Sequence, residues 1–259
     1  MKTISRAAIL FLLAMSVAWA EEAKDKFDAP VEVDIAGSDV RHAIKKLKLP
    51  PSDTKVESEA EDAKEEPIVF LYEGREQPFE KVQLTPDRGS IFGATATRLN
   101  THQVKLEGDF EGKTLRGVVE EIDRQEAFVA RVLPGKGAVQ IMDAALEQDP
   151  RWALNLPLHP EYAKEPLTYS EAITLLRGSY GLILPPGANL MTPSEELVWE
   201  GTAKECLVRD LVIEVSKVTL RMQKDRGNLN FTSGHQACPA ESNPDPNSTT
   251  LYHWTLLGI

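Results

Sequence analysis

Basic residues are in short supply here: 29 Lys and Arg stand against 40 Asp and Glu, a formal net charge of −11. So acidic a chain is a poor partner for nucleic acid and is repelled by anionic lipid surfaces. After its first twenty residues the chain has no apolar run of membrane-spanning length, for which roughly 20 residues are needed. Nor are there enough alternating segments of about 10 residues to build an outer-membrane barrel. The five histidines (His42, His102, His159, His235 and His253) include no His-x-x-x-His or His-Glu-x-x-His pair that would set two metal ligands on one helical face. No Gly-x-Ser-x-Gly elbow occurs; Ser179, between Gly178 and Gly181, ends a helix rather than opening one. Gly135-Lys136-Gly137 lacks phosphate-loop spacing and reads as a hairpin turn. Adjacent acids such as Glu120-Glu121 and Glu195-Glu196 diverge on a helix, whereas acid–base work needs carboxyls that converge across a cleft. The sequence therefore nominates no catalytic, cofactor-binding or metal-binding residue.

Residues 1–20, MKTISRAAILFLLAMSVAWA, carry a positive start at Lys2 and Arg6 and an apolar run from Ala7 to Val17. Ala18-Trp19-Ala20 then forms a small-x-small cleavage site, with Ala18 and Ala20 as its recognition positions. That is the layout of a secretory signal peptide, and it predicts a mature protein beginning near Glu21 in the periplasm or outside the cell. In such a compartment Cys206 and Cys238 leave two readings open. A disulfide would pin the C-terminal tail to the last helix and contribute roughly 3 kcal/mol. Alternatively both are thiols, with Cys206 buried on a helix.

Five regions follow from the pattern along the chain: the signal (1–20), an acidic flexible segment (21–66), one α+β module (67–150), a second (151–234), and a tail (235–259) with an apolar end. Within the acidic segment, Val31 to Ile35 alternates as a short strand, and Val40, Ala43, Ile44 and Leu47 fall at helical spacing. Asp53 to Glu66 holds seven acids, two lysines and almost nothing apolar, and reads as a solvated linker. Ile68 to Tyr72 predicts a strand, and Val104 and Leu106 another. Thr114 caps a helix bearing Leu115, Val118, Val119 and Ile122, and Ala127–Leu133 with Ala138–Met142 make a hairpin.

The second module repeats this order less cleanly. Leu154 to Leu158 predicts a strand, Thr168 or Ser170 caps a helix ended by Gly178, and Leu182 to Leu184 is a short strand. Leu197 to Trp199, a helix over Ala203 to Lys217, and a hairpin of Val218–Met222 with Leu229–Thr232 complete it. The expected class is α+β: one or two small mixed-sheet modules with helices packed on one face of the sheet, preceded by the acidic flexible segment. Gly234 to Ser248 is rich in Pro, Asn and Ser and reads as loose, leaving His235 at a surface. By contrast Leu251 to Ile259 (LYHWTLLGI) is apolar. It either adds a strand or meets a partner, with Leu251, Tyr252, Trp254, Leu256 and Leu257 as the partner-binding candidates.

Three stretches, VKLEGDFEGKTLRGVVEEIDRQEAFVARV, LTYSEAITLLRGSYGLIL and LVWEGTAKECLVRDLVIEVSKVTLRM, carry in whole or in part a phrase of strand, turn, threonine, leucine, helix and apolar strand. Lys113-Thr114-Leu115 fits it best. This phrase resembles the small periplasmic modules at the N-terminal end of secretins and of some TonB-dependent receptors, and related modules in type IV pilus and conjugation accessory proteins. The resemblance implies a non-enzymatic docking or scaffold subunit of a pilus, conjugation or secretion apparatus, with envelope proteins or its own copies as partners. The barrel-forming domain of a true secretin has no counterpart after Ser233, which favours an accessory subunit. A stand-alone secreted binding module and an unrecognised hydrolase are the alternatives.

Overall fold

The computed structural model describes residues 26–32, 34–47, 68–74, 104–159, 161–162, 167–184, 206–225, 234–240 and 249–258. Asp39 opens the first helix, α1 (Val40–Lys46), by accepting the His42 N–H at 2.9 Å. Strand β1 (Val69–Glu73) is buried at every residue, as its unbroken apolar run requires. Thr114 caps α2 (Leu115–Asp123) through the Gly117 N–H, and the apolar stripe anticipated for that helix is its buried face. Strands β2 (Phe128–Leu133) and β3 (Ala138–Asp143) form the expected hairpin, and the short helix α3 (Ala144–Glu147) follows at once. A reciprocal capping box between Thr168 and Glu171 starts α4 (Tyr169–Ser179). Strand β4 (Leu182–Ile183), helix α5 (Val208–Asp225) and strands β5 (Gly234–Pro239) and β6 (Trp254–Gly258) complete the described elements.

All six strands belong to one mixed sheet in the order β2-β3-β1-β5-β6-β4. β1 is parallel to both β3 and β5, β2 and β6 run antiparallel to their inner neighbours, and β4 lies parallel to β6. The side chains of α1 and α2 pack with Phe70, Tyr72, Val139 and Ile141 on one face. Those of α4 and α5 pack with Val69, Leu71, Ala138 and Met142 on the other. The class is thus α+β as expected, but helices cover both faces rather than one. A strand buried on one face alternates apolar and polar residues; VFLY does not alternate, and the reason is a core on each side of it.

Several expectations are corrected by this arrangement. The stretches read as two modules, 67–150 and 151–234, supply strands to the same sheet, so no boundary near residue 150 divides two sheets. Part of the segment read as flexible is core: Phe27, Val31, Ile35, Val40, Ala43, Ile44 and Leu47 are buried against α2 and β1. Among the described residues of 31–35, and at Val104 and Leu106, there is no strand; the bridges near them are Pro30 to Thr114 and Asp39 to Lys105. Leu154 to Leu158 is a 3-10 turn (Ala153–Asn155) followed by one bridge from Pro157 to Leu207. Val218 to Met222 is not a strand but the continuation of α5, because Val215 and Val218 keep the helix's buried face going. Their β-branched side chains prefer a strand only weakly, and burial overrides that preference. Gly178 lies inside α4 and does not end it. Leu197–Trp199, Leu229–Thr232, Asp53–Glu66 and the signal with Ala18 and Ala20 fall outside the described residues.

The tail is the largest correction. The stretch read as loose begins with β5, a fully buried strand flanked by β1 and β6. Gly234 is required there: a Cβ on it would stand 2.6 Å from the Phe70 carbonyl oxygen. β6 then threads between β5 and the edge strand β4, so the apolar end adds a strand to its own fold.

Candidate functional site

A buried ion pair lies where β1 ends and α5 begins. Glu73 is wholly buried, and Arg209, 6 % exposed, grips it with two parallel hydrogen bonds. Nε donates to Oε1, and Nη2 donates to Oε2 at 2.8 Å. Trp152 Nε1 donates to Oε2 at 2.6 Å and Gln140 Nε2 to Oε1 at 2.8 Å, so both carboxylate oxygens accept two hydrogen bonds each. Asn155 takes the outer side of the guanidinium, its Oδ1 2.7 Å from Nη2, while its own amide donates to the carbonyls of Leu146 and Glu147. Burial by itself would lower the Arg209 value; the charge and hydrogen bonds of Glu73 outweigh it and hold it above the usual range. This network ties β1, β3, α3, the 3-10 turn and α5 into one unit.

Directly across the sheet is a crevice. α2, which precedes β3, lies on one face and α5, which precedes β5, on the other, so the carboxyl ends of β1 and β3 meet at the switch point where open sheets bind ligands. A cavity of about 190 Å³ opens there, lined by Tyr72, Val104, Glu126, Ala127, Phe128 and Asp143 and by the first two residues of α3. The Asp143 carboxylate already accepts the Ala145 N–H at 2.9 Å. A volume of this size is below the roughly 300 Å³ at which small-molecule pockets begin.

Of the tail residues nominated for partner binding, Tyr252 and Trp254 are turned inward. Trp254 is fully buried, meets Trp152 edge-on at 6.0 Å, and donates from Nε1 to the Tyr180 carbonyl at 2.6 Å. Tyr252 donates its hydroxyl to Asp149 at 2.7 Å beneath the Arg151 guanidinium, which lies 4.8 Å from its ring. Hydrogen bonds from Arg151 first, and from Tyr252 with them, outweigh burial and hold the Asp149 carboxyl down at about 2. Gly181, at φ +75°, lets the chain pass the Tyr252 carbonyl, which a Cβ would approach to 2.8 Å. Leu251 and Leu256 pack partly against the same core, and Leu257 is half-buried.

No disulfide joins Cys206 and Cys238, although both are buried. Cys206 belongs to the core under α4 and α5. Cys238 follows Ala237 of that core, so strand alternation turns its side chain to the opposite face, where Sγ lies 3.2 Å from Thr255 Oγ1. The sheet separates the two sulfurs. His235, expected at a surface, is 4 % exposed. Among the described residues no group of three or more His, Cys, Asp or Glu side chains is placed to hold a metal, and no helix is long and apolar enough to cross a membrane.

The residues of the buried network were not singled out from the sequence. The available signal was a charge at the end of an apolar strand, IVFLYE, and another inside an apolar helix, CLVRDLV. Such a charge is almost never fully buried unless paired. Compared with family models, curated proteins and solved structures, the chain matches none of them.

Proposed function

We propose that this chain is an exported, non-enzymatic scaffold or docking subunit of an envelope assembly of the pilus, conjugation or secretion type. The observation that supports the non-enzymatic part is where the buried carboxylates are committed. Glu73 is held by Arg209 and Asp210 by Lys136, each pair joining elements, and Glu214 by Lys217 within α5; the part-buried Asp149 is held by Arg151. Acid–base catalysis needs such a group aimed at a cleft with its proton or lone pair available. Their engagement with these partners supports a structural role. The signal-peptide layout of the first twenty residues supports the address, and the secretin-like phrase around Lys113-Thr114-Leu115 supports the machine.

The test is crosslinking in intact source cells followed by purification of the tagged mature chain from the envelope. Recovery of a pilus or secretion ring component, or a stable homo-oligomer in sedimentation, is the expected result. A protein that stays monomeric and recovers no envelope component overturns the reading in favour of a stand-alone secreted module.

A further inference from the structure

We propose that the last rungs of the β5–β6 ladder form an acid-sensitive clasp, in which protonation of His235 frees Leu256 to Gly258 from β5 while Trp254 stays anchored. His235 sits on β5 between Leu71 of β1 and Gly258 of β6, the final rung of the antiparallel ladder. Alternation along β5 places it on the face of Ala237, whose core also holds side chains of α4 and α5. Its Nδ1 is fully enclosed and has no hydrogen-bond partner. A neutral imidazole tolerates that position; an imidazolium, which needs solvent or a counter-charge, does not.

Among the described residues no counter-charge is placed beside it. On the same face β1 carries Glu73, committed to Arg209 of α5. The other charges of α5 with described side chains are Asp210, paired with Lys136, and Glu214, paired with Lys217, with Arg221 a turn beyond. α4 brings only Glu171, engaged in its cap, and the exposed Arg177. β6 has no ionisable side chain between Trp254 and Gly258. Burial alone lowers the His235 value from 6.5 to about 4.

The route to solvent is set by what holds each neighbour. β1 is central, and its ladder to β3 runs its full length. The start of β6 is fixed by Trp254, through the Trp152 contact, the Tyr180 carbonyl and a backbone N–H to Gly181 at 3.0 Å. β4 pairs only with Trp254 and Thr255, leaving Leu256 to Gly258 held by β5 alone among the described strands. Fraying those three residues uncovers the imidazole at the least cost in contacts.

Hydrogen exchange of the intact mature chain, corrected for the intrinsic pH dependence of exchange, tests this between pH 7 and pH 4. The opening equilibrium for residues 256–258 should rise about tenfold per pH unit below 6.5 and level off near 4, the rate expected for one coupled proton. Protection of β1 and β3 should persist over that range. His235→Leu should abolish the pH dependence at β6, and His235→Gln should do the same should the leucine variant fold poorly. Uniform loss of protection across the sheet, or an unchanged pH profile in both variants, overturns the clasp.

Discussion

Glu73 and Arg209 show what a single charged pair does when it replaces water as the solvent of a fold's interior. Each would be costly to bury alone, and their mutual bonds, with Trp152, Gln140 and Asn155, remove that cost. Glu73→Leu therefore strands a buried guanidinium and should lower stability by about 3–5 kcal/mol in urea unfolding. Glu73→Leu with Arg209→Leu should be more stable than Glu73→Leu alone; a double variant that loses the sum of both single effects would show that the residues act independently. His235 acts with the opposite sense of environment. Its value is depressed on folding, so its contribution is complete above its unfolded value of 6.5 and falls away as pH drops toward about 4. Over that window the loss is about 3 kcal/mol, and His235→Leu should flatten the corresponding limb of the stability–pH curve.

At the scale of elements, the two ends of the sheet are finished differently. On the edge strand β2 the Phe128 N–H donates to the Gln125 carbonyl at 3.0 Å and the Ala130 N–H to Asp123 Oδ1 at 2.8 Å, so the end of α2 and the turn after it satisfy two donors of that strand. Donors engaged in this way are closed to pairing with other chains. Toward the opposite side β6, next to the edge strand β4, is secured by aromatic packing and by the Asp149–Arg151–Tyr252 latch. Trp254→Ala should cost about 3–5 kcal/mol, the ordinary penalty for emptying a buried aromatic site. Tyr252→Phe removes one hydrogen bond and should cost about 1 kcal/mol. Calorimetry of both variants checks the ranking, and equal losses would mean that the latch and the tryptophan carry the strand together. Because the Asp149 carboxyl is depressed on folding, the latch is at full strength above 3.8 and weakens as pH falls toward about 2. Local signals placed α1, α2, β1, β2, β3, α4 and β4 well, since capping residues, apolar stripes and turn residues are properties of short windows. They failed for β5, whose GHQACP has little strand preference and owes its conformation to β1 and β6.

For the whole molecule, the sheet is the organising object, and it joins stretches that look like separate modules along the chain. Both thiols are buried on opposite faces, so reductant should leave the unfolding temperature unchanged, and two thiols should react with a thiol reagent after denaturation without reductant. One or no reactive thiol would overturn that geometry. The sequence by itself determined the acidic charge, the apolar stripes of the helices and the unbroken apolar run of β1. Tertiary structure alone decided that α5 continues through Val218, that Glu73 meets Arg209, and that the tail returns to the sheet as β5 and β6. Periodicity and capping act over a few residues and are written locally. Strand pairing and the pairing of buried charges join residues more than a hundred positions apart, as Glu73 and Arg209 are, and only the folded chain brings those together.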